Sequence, residues 1–246
     1  MQVDASIFKA YDIRGVVDET LTTQAVREIG RALGSIAAQR HINALCVGRD
    51  GRLSGPKLSE ALIEGITDMG VDVKAIGLAP TPVLYFATFL TQTGSGIAVT
   101  GSHNPPQYNG LKMMMGKDTL YGEGIQALRS LIEQGIDVAD HKGKVEEIDV
   151  ITPYLQKVTG DVKLARKIKV AVDCGNGVTG PVAMELFKRL GCEVVPLFTD
   201  IDGTFPNHHP DPSKPDNLND LIETVKTTDV ELGLAFDGDG DRLGVV

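Results

Sequence analysis

One loop of this sequence combines a hydroxyl, an imidazole and two prolines. Residues 100–112 read TGSHNPPQYNGLK, so Ser102 stands next to His103 in what we call the serine loop. Pro105 and Pro106 stiffen this loop, because proline fixes its own φ angle and keeps the preceding residue out of the helical region. A hydroxyl held in a fixed direction beside an imidazole is typical of a nucleophile. The alternative is an ordinary proline-rich turn with a chance Ser-His pair.

A second loop concentrates negative charge. Residues 237–242 read DGDGDR, so this acidic loop holds Asp237, Asp239 and Asp241 within five positions. Three carboxylates repel one another unless a cation neutralises them, and the glycines between them let the backbone curl so that they converge. Hard oxygen ligands on one turn favour Mg²⁺ or Ca²⁺, although a solvated acidic turn is the alternative. An EF-hand does not fit, because Arg242 occupies its glycine position; this arginine instead suggests an anionic ligand such as phosphate.

A glycine-rich segment raises a competing function. Residues 175–180 (GNGVTG) match the G-x-G-x-x-G pattern of dinucleotide-binding loops, and Asp200 lies at the end of the next predicted strand. However, only one short unit of that fold is present, and an anionic pyrophosphate would lie near the acidic loop. We therefore favour a glycine-rich entry to a helix and keep a dinucleotide-binding oxidoreductase fragment as the weaker alternative.

Two further segments contain side chains that could bind ligands. Residues 8–15 (FKAYDIRG) bring aromatic and cationic groups together near the N-terminus, where the alternative is a strand with a surface arginine. His208 and His209 could ligate a metal. Because adjacent histidines usually point apart, we favour a structural or interface loop for this pair.

These loops need rigid elements to position them, and the hydrophobic pattern predicts the same order of elements twice. Both halves are predicted to run strand, helix, strand, helix, strand, polar loop, strand, which indicates parallel sheets with helices packed on them. In such sheets ligands bind beyond the carboxyl ends of the strands, where the serine loop and the acidic loop lie. The predicted strands are 42–47, 71–76, 97–99, 111–115, 168–172, 193–198, 232–236 and 243–246, and the predicted helices are 57–69, 82–90, 178–190 and 218–225.

We predict an α/β fold with two similar domains, each a mixed, mostly parallel sheet flanked by helices, with an antiparallel edge strand. The predicted boundary follows a polar stretch, giving domains 1–146 and 147–246. The last predicted strand runs into the C-terminus, so we expect the second domain to be truncated there. Within the first domain, Ser54 ahead of Pro56 is predicted to cap the helix at 57–69.

Composition narrows the classes of protein. A formal net charge of −9 argues against a surface for nucleic acid, and three widely spaced cysteines give neither a disulfide framework nor a zinc pattern. A reducing, cytoplasmic setting fits these cysteines best. No signal peptide is readable at the N-terminus. Residues 75–102 carry no charged side chain, but their prolines and glycines indicate a buried helix, a turn and a buried strand rather than a membrane span.

Together these motifs closely resemble the α-D-phosphohexomutase family, in its phosphomannomutase/phosphoglucomutase branch. They follow one another in family order over nearly the whole chain, and the pairing of the serine loop with the acidic loop is highly specific. Thr-Gly-Ser-His, rather than Ala-Ser-His, favours this branch over the phosphoglucosamine mutases. The matching segments are residues 8–15, 48–55 (GRDGRLSG), 100–112, 173–177 (DCGNG), 206–218 (PNHHPDPSKPDNL) and 237–242.

The resemblance implies an enzyme that moves phosphate between the 1- and 6-positions of mannose or glucose. It implies a phosphoserine at Ser102, a bisphosphorylated intermediate, and a bisphosphate such as glucose 1,6-bisphosphate as activator. Mg²⁺ would be held by an oxygen at Ser102 together with the three aspartates of the acidic loop. Arg14, Lys112, Arg242 and His103 would surround the transferring phosphoryl group, Lys112 or His103 would carry the proton of the sugar hydroxyl, and Tyr11 would line the sugar cleft.

The family has four domains, and the chain ends at Val246 within the second, so we expect a fragment that lacks full turnover. Two alternatives stay open at this point: a metal- and phosphate-binding module without catalysis, and the dinucleotide-binding fragment. The expected partner is a phosphorylated hexose, with no nucleic acid and no membrane, and the full-length protein is expected to be monomeric.

Overall fold

The computed structural model describes residues 3–246, in which two β-sheets are formed by separate stretches of the chain. The first stretch contains four helices and seven strands, preceded by a short 3₁₀ helix, Ala5–Ile7. Its strands are β1 (Ile13–Val16), β2 (Ala44–Arg49), β3 (Asp72–Leu78), β4 (Gly96–Val99), β5 (Tyr108–Met115), β6 (Asp118–Thr119) and β7 (Val145–Glu147). Its helices are α1 (Thr23–Gln39), α2 (Gly55–Thr67), α3 (Thr81–Leu90) and α4 (Glu123–Gln134).

The first sheet has the order β1-β5-β4-β2-β3-β7, with β6 paired to β5. β4, β2, β3 and β7 are parallel, whereas β5 is antiparallel to β4 and to β1. The antiparallel strand therefore lies inside this sheet, and not at its edge as predicted, because β1 pairs with its outer side. Helices α1 and α2 pack on one face and α3 on the other, so the central strands β2 and β4 are apolar on both faces.

The uncharged segment has the predicted form. Helix α3, a turn in which Gly94 has a φ of 57°, and the fully buried strand β4 follow one another. No helix formed by residues 3–246 combines the length and the apolarity that a bilayer crossing requires.

The predicted cap of α2 is wrong. Ser54 occupies the N-cap position, but its side chain does not bond to the helix. Its Oγ instead accepts a hydrogen bond of 2.9 Å from Nδ2 of Asn109 on β5. A tertiary contact has therefore taken the hydroxyl that the local pattern assigns to capping.

The second sheet has the order β11-β10-β8-β9, and its antiparallel strand β11 lies at the edge, as predicted. The other three strands are parallel. Helices α6 and α7 cover opposite faces. The elements are α5 (Ile151–Asp161), β8 (Lys169–Asp173), α6 (Gly180–Arg189), β9 (Glu193–Leu197), a 3₁₀ helix (Pro215–Leu218), α7 (Asn219–Thr227), β10 (Leu232–Phe236) and β11 (Leu243–Val245).

Helix α5 connects the two stretches. Ile151 and Tyr154 pack against the apolar cluster under α3, and the same helix packs against α6. The ring of Tyr154 meets that of Phe86 edge-on at 5.5 Å. We keep residue 146 as the proposed domain boundary, ahead of this helix.

Candidate active site between the two sheets

The serine loop begins where β4 ends, and its backbone is tightly constrained. Ser102 is almost fully buried and has a φ of 50°, a left-handed conformation that few residues other than glycine adopt. Its amide donates to Oγ1 of Thr100 at 2.8 Å. At Gly101 a Cβ atom would lie 2.4 Å from Nε of Arg52, so only glycine fits there. The loop thus presents Ser102 in one direction.

Asp50 and Arg52 support this loop, and sequence reasoning gave neither of them a role. Asp50 follows β2 and accepts hydrogen bonds from Oγ1 of Thr100 at 2.7 Å and from the amide of Gly101 at 3.1 Å. Arg52 is buried and donates to carbonyl oxygens of the serine loop. The available signal was their position in the GRDGRLSG motif, just beyond the carboxyl end of a predicted strand.

The acidic loop begins where β10 ends and curls as predicted. Asp237 and Asp239 are buried and Asp241 is exposed, with carboxylate oxygens of all three within 4.8 Å of one another. We call these residues the acidic triad. Oδ1 of Asp237 accepts the amides of Asp241 and Arg242 at 3.0 and 3.1 Å, and Gly240 has a φ of 74°. The backbone of the loop therefore wraps around one of its own carboxylates.

The two loops meet, although they lie 135 positions apart in the sequence. Oγ of Ser102 donates to Oδ2 of Asp237 at 3.0 Å. The approach is so close that a Cβ at Gly238 would lie 2.5 Å from the carbonyl oxygen of Ser102.

Thr81, which sequence reasoning missed, holds the acidic loop from the side of the first sheet. Its amide donates to the carbonyl of Asp239 at 2.9 Å, and its hydroxyl donates to Oδ2 of the same residue at 2.5 Å.

Lys112 is the cation in contact with the acidic triad. Its Nζ lies 2.7 Å from Oδ2 of Asp239, 2.5 Å from Oδ2 of Asp241 and 3.4 Å from Oγ of Ser102. Burial alone would lower the pKa of Lys112, but the carboxylate of Asp239 raises it above its usual value. Burial likewise favours a raised pKa for Asp239, yet the ammonium of Lys112 holds it below the ordinary range.

The remaining negative charge is poorly compensated. Burial, together with the charges of Asp239 and Asp241, raises the pKa of Asp237 to about 7. Oδ1 of Asp239 is buried and has no hydrogen-bond partner within residues 3–246. The buried carboxylate oxygens outnumber the hydrogen-bond donors around them, although one ammonium already lies in the cluster. Such oxygens are the ligands that a hard divalent cation prefers. The acidic triad and Ser102 therefore fit Mg²⁺.

A cavity of about 550 Å³ opens beside this cluster. Tyr11, Arg14, Ser102, Lys112 and Arg242 line it together with Asp241 of the acidic triad, so the structure brings together six of the residues singled out in the sequence. Arg14 is paired with Asp12. The other lining residues are Lys9, Ala10, Asp12, Tyr85, Met113 and Thr119.

His103 is placed differently from its neighbours in the motif. It is half-buried and is not among the residues that line the cavity. Its Nδ1 is buried and has no partner in the described part of the chain. Burial and the positive charge of Arg242 lower the pKa of its imidazole, while Asp211 opposes them.

His208, one of the two adjacent histidines, makes structural contacts, which fits the interpretation favoured for the pair. Nε2 of His208 lies 3.0 Å from Oδ2 of Asp173, and its ring meets that of Phe198 edge-on at 5.3 Å. Asp173 also accepts the amide of Gly175 at 2.8 Å, so the pair fixes the end of β8. Burial lowers the pKa of His208, but the hydrogen bonds that its ring donates to the carboxylate of Asp173 and to the carbonyl of His209 raise it overall.

The glycine-rich segment leaves no place for a pyrophosphate. Residues 175–180 are all buried, and a Cβ at Gly180 would lie 1.9 Å from the carbonyl oxygen of Thr199. A Cβ at Gly177 would lie 2.8 Å from the carbonyl oxygen of Gly238. These glycines allow close packing against neighbouring protein backbone, including the acidic loop, which argues against dinucleotide binding.

The match to known families is consistent with this geometry. Residues 5–145 match the model of phosphoglucomutase/phosphomannomutase, alpha/beta/alpha domain I, and residues 152–246 match that of domain II. The chain belongs to this family.

Relatives and solved structures agree. A phosphomannomutase/phosphoglucomutase of Pseudomonas aeruginosa is 54% identical over 242 residues, which cover 98% of this chain and 52% of the relative. A phosphoglucomutase of Neisseria meningitidis serogroup B is 56% identical over 241 residues, covering 98% and 52%. A phosphoglucomutase/phosphomannomutase family protein from Burkholderia thailandensis superposes with a TM-score of 0.95 at 51% identity, covering 100% of this chain and 55% of that one. The chain spans about half the length of the curated relatives that it matches.

Proposed function

We propose that Ser102 accepts and donates a phosphoryl group in the interconversion of hexose 1-phosphate and hexose 6-phosphate, with mannose and glucose as the sugars. The observation that carries this proposal is the 3.0 Å contact between Oγ of Ser102 and the carboxylate of Asp237, which unites a constrained hydroxyl with a cation site. The names of the relatives, phosphomannomutase/phosphoglucomutase and phosphoglucomutase, support it.

The acidic and the basic residues of the site would have different roles. Asp237, Asp239 and Asp241, with an oxygen at Ser102, would hold Mg²⁺, which when bound supplies positive charge to the oxygens of the transferring phosphoryl group. Arg14, Lys112 and Arg242 would bind the phosphate oxygens from the cavity side, where fixed cations stabilise developing charge without reorganising. Tyr11 would line the cleft for the sugar.

The chemical step exchanges one phosphate ester for another. The bond between phosphorus and Oγ of a phosphorylated Ser102 breaks as a bond from phosphorus to a sugar hydroxyl forms, and the hydroxyl loses its proton. Lys112 and His103 are the two candidates for carrying that proton. Lys112, whose raised pKa keeps it an ammonium, would first have to lose its own proton. The resulting bisphosphate then returns its other phosphoryl group to Oγ of Ser102. Glucose 1,6-bisphosphate or a similar bisphosphate would restore the phosphoserine whenever it is lost.

The setting of this reaction is also part of the proposal. A phosphorylated hexose is the expected partner, the expected compartment is the cytoplasm, and the full-length protein is expected to be a monomer. Neither nucleic acid nor a membrane has a part in this function.

Incubation with glucose 1,6-bisphosphate and Mg²⁺, followed by intact-mass measurement, tests the proposal. We expect one added phosphate, about 80 Da. Ser102→Ala should abolish the addition, whereas Ser130→Ala on the exposed face of α4 should leave it unchanged. Equal labelling of Ser102→Ala and wild type would refute the assignment. Metal binding without any labelling would favour a metal- and phosphate-binding module.

A further inference from the structure

Arg52 uses every hydrogen-bond donor of its guanidinium group inside the protein. The residue is 1% exposed, and a guanidinium has five N–H donors in a fixed planar fork. Nε donates to Oδ2 of Asp50 at 3.1 Å. The other four donors meet the carbonyl oxygens of Ser102 at 2.9 Å, Asn104 at 2.6 Å, Pro105 at 2.7 Å and Tyr108 at 3.0 Å.

The serine loop depends on this fork for its hydrogen bonding. Pro105 and Pro106 lack an N–H, so the middle of the loop cannot form a regular ladder. Four of its carbonyl oxygens point instead at one guanidinium group. A buried carbonyl without a donor costs about 1–3 kcal/mol. The oxygen of Pro105 also accepts the amide of Tyr108 at 3.0 Å, so the oxygens of Ser102 and Asn104 depend most on Arg52, and the loop prefers the conformation that keeps them bonded.

Asp50 extends the support to the backbone of the reactive residue. It orients Arg52 and accepts from Thr100, whose Oγ1 in turn accepts the amide of Ser102. The left-handed φ of Ser102 is costly and persists only where surrounding contacts determine it. These contacts all lead to the Asp50–Arg52 pair.

The second stretch of the chain completes the support. The ring of Phe205 lies 5.2 Å from Cζ of Arg52, within the range of a cation–π interaction. Gly203 packs so tightly on this turn that a Cβ there would lie 2.7 Å from the carbonyl oxygen of Gly51. The serine loop is therefore anchored, through Arg52, to the same part of the chain that carries the acidic triad.

We propose that Arg52 is a positioning residue that sets Oγ of Ser102 against the acidic triad, and that Phe205 fixes Arg52 in that role. The inference rests on the proposed phosphoryl transfer at Ser102. Arg52 does not line the cavity and does not contact the triad. It acts through the carbonyl oxygens and the backbone angle of the loop.

Arg52→Lys is the decisive variant, because it keeps the charge but offers three donors on a flexible stem instead of a five-donor fork. We expect the maximal rate of Ser102 labelling by glucose 1,6-bisphosphate to fall about 100-fold, the scale of loss that a misplaced reacting group produces. The half-saturating bisphosphate concentration should stay near that of the wild type, since the cavity-lining residues are unchanged. Arg129→Lys on the surface of α4 is the matched control and should behave as wild type.

Hydrogen exchange of the amides in residues 101–110 provides a readout that needs no turnover. Arg52→Lys should accelerate exchange there while the rest of the first sheet stays protected. Phe205→Leu, which keeps Arg52, should give a smaller loss of labelling rate and a smaller acceleration of exchange. This second variant preserves the test if Arg52→Lys does not fold.

The outcomes separate the two proposals. Failure of the wild type to become labelled would contradict the proposed function, and loop exchange would still judge the role of Arg52. Unchanged exchange in both variants would overturn the inference, as would wild-type labelling rates in a folded Arg52→Lys protein. An equal rise in the half-saturating concentration and fall in rate would show that Arg52 serves binding rather than positioning.

Discussion

The chain contains two clusters of charged residues that differ in how their charge is balanced. In the first, Asp68 is bonded to Arg27 at 3.0 Å, Arg31 at 2.8 Å and Lys142 at 3.1 Å. Glu28 and Glu64 pair with the two arginines, so three cations face three carboxylates in this Asp68 cluster. In the acidic triad three carboxylates share a single ammonium among residues 3–246, that of Lys112.

The pKa values reflect this difference. Burial would raise the pKa of Asp68, but hydrogen bonds from Arg31, Lys142 and Arg27 lower it to about 2. Burial and neighbouring carboxylates raise the pKa of Asp237 to about 7. The Asp68 cluster is neutralised by its own side chains and holds α1, α2 and the chain after α4 together. The acidic triad with Lys112 keeps a formal charge near −2, which Mg²⁺ would balance in the function that we propose. The two clusters thus combine the same kinds of charged side chain in different ratios of cations to carboxylates.

The largest effect should come from removing one cation from each of the two clusters. We expect Lys112→Met to reduce the rate of Ser102 labelling by about 100-fold or more, because it removes the charged donor that lies 3.4 Å from Oγ of Ser102. Arg31→Met, the matched loss from the Asp68 cluster, should lower the free energy of unfolding and leave the labelling rate unchanged. Intact-mass time courses and urea denaturation measure the two quantities.

His103→Asn extends this experiment to the proton. If the imidazole carries the proton of the sugar hydroxyl, His103→Asn should lower the labelling rate as much as Lys112→Met does. If Lys112 carries this proton, His103→Asn should lower the labelling rate less. Equal labelling rates for Lys112→Met and Arg31→Met would contradict the functional contrast between the clusters.

Adding Mg²⁺ should raise the free energy of unfolding through the acidic triad and not through the Asp68 cluster. A ligand that binds only the folded state at 100 times its Kd stabilises it by about 2.7 kcal/mol, so we expect Mg²⁺ to raise the free energy of unfolding by that order. Asp237→Asn should remove this gain, and without metal it should be at least as stable as wild type, since it relieves repulsion. Asp68→Asn should be less stable but keep the full gain. A metal effect that survives Asp237→Asn would place the cation elsewhere.

Much of the fold could be predicted from the sequence because it depends on local patterns. Periodicity located the strands that flank the serine and acidic loops, and the rule that ligands bind beyond parallel strands placed the two loops together. The buried contact between Ser102 and Asp237 agrees with that placement. The position of β1 beside β5 was not readable, because a four-residue strand has no pattern that specifies a distant partner.

The site residues that the sequence analysis did not find were missed for one physical reason. Thr81, Asp50 and Arg52 act through tertiary contacts with residues 50 or more positions away, apart from the bond of Arg52 to Asp50. Apart from the GRDGRLSG motif that contains Asp50 and Arg52, nothing in their immediate neighbourhood distinguishes these three from other polar residues at the ends of strands. Ser54 shows the converse, since a local capping signal lost to a hydrogen bond from Asn109.

Asp68→Asn should cost about 2 kcal/mol of unfolding free energy at pH 7, as expected for a carboxyl whose pKa falls from 3.8 to about 2 on folding. The sign follows from linkage: a lowered folded-state pKa stabilises the protein above pH 4, and this contribution is lost as the pH falls through 2. The gap between wild type and Asp68→Asn should therefore close between about pH 4 and pH 2. Denaturation at several pH values measures it, and a constant gap would contradict the assignment.

The smallest effect should come from Lys142, the outermost cation of the Asp68 cluster. Its side chain is 69% exposed, and exposed ion pairs contribute about 0–1 kcal/mol, so Lys142→Met should lower the free energy of unfolding by roughly 0.5 kcal/mol. The backbone holds this segment independently, because the amides of Ala139 and Gly143 donate to the carbonyls of Asp68 and Thr67. Arg31→Met should cost more, since its side chain is less exposed and also binds Glu28. Equal losses of unfolding free energy in the two variants would mean that burial does not set the strength of these ion pairs.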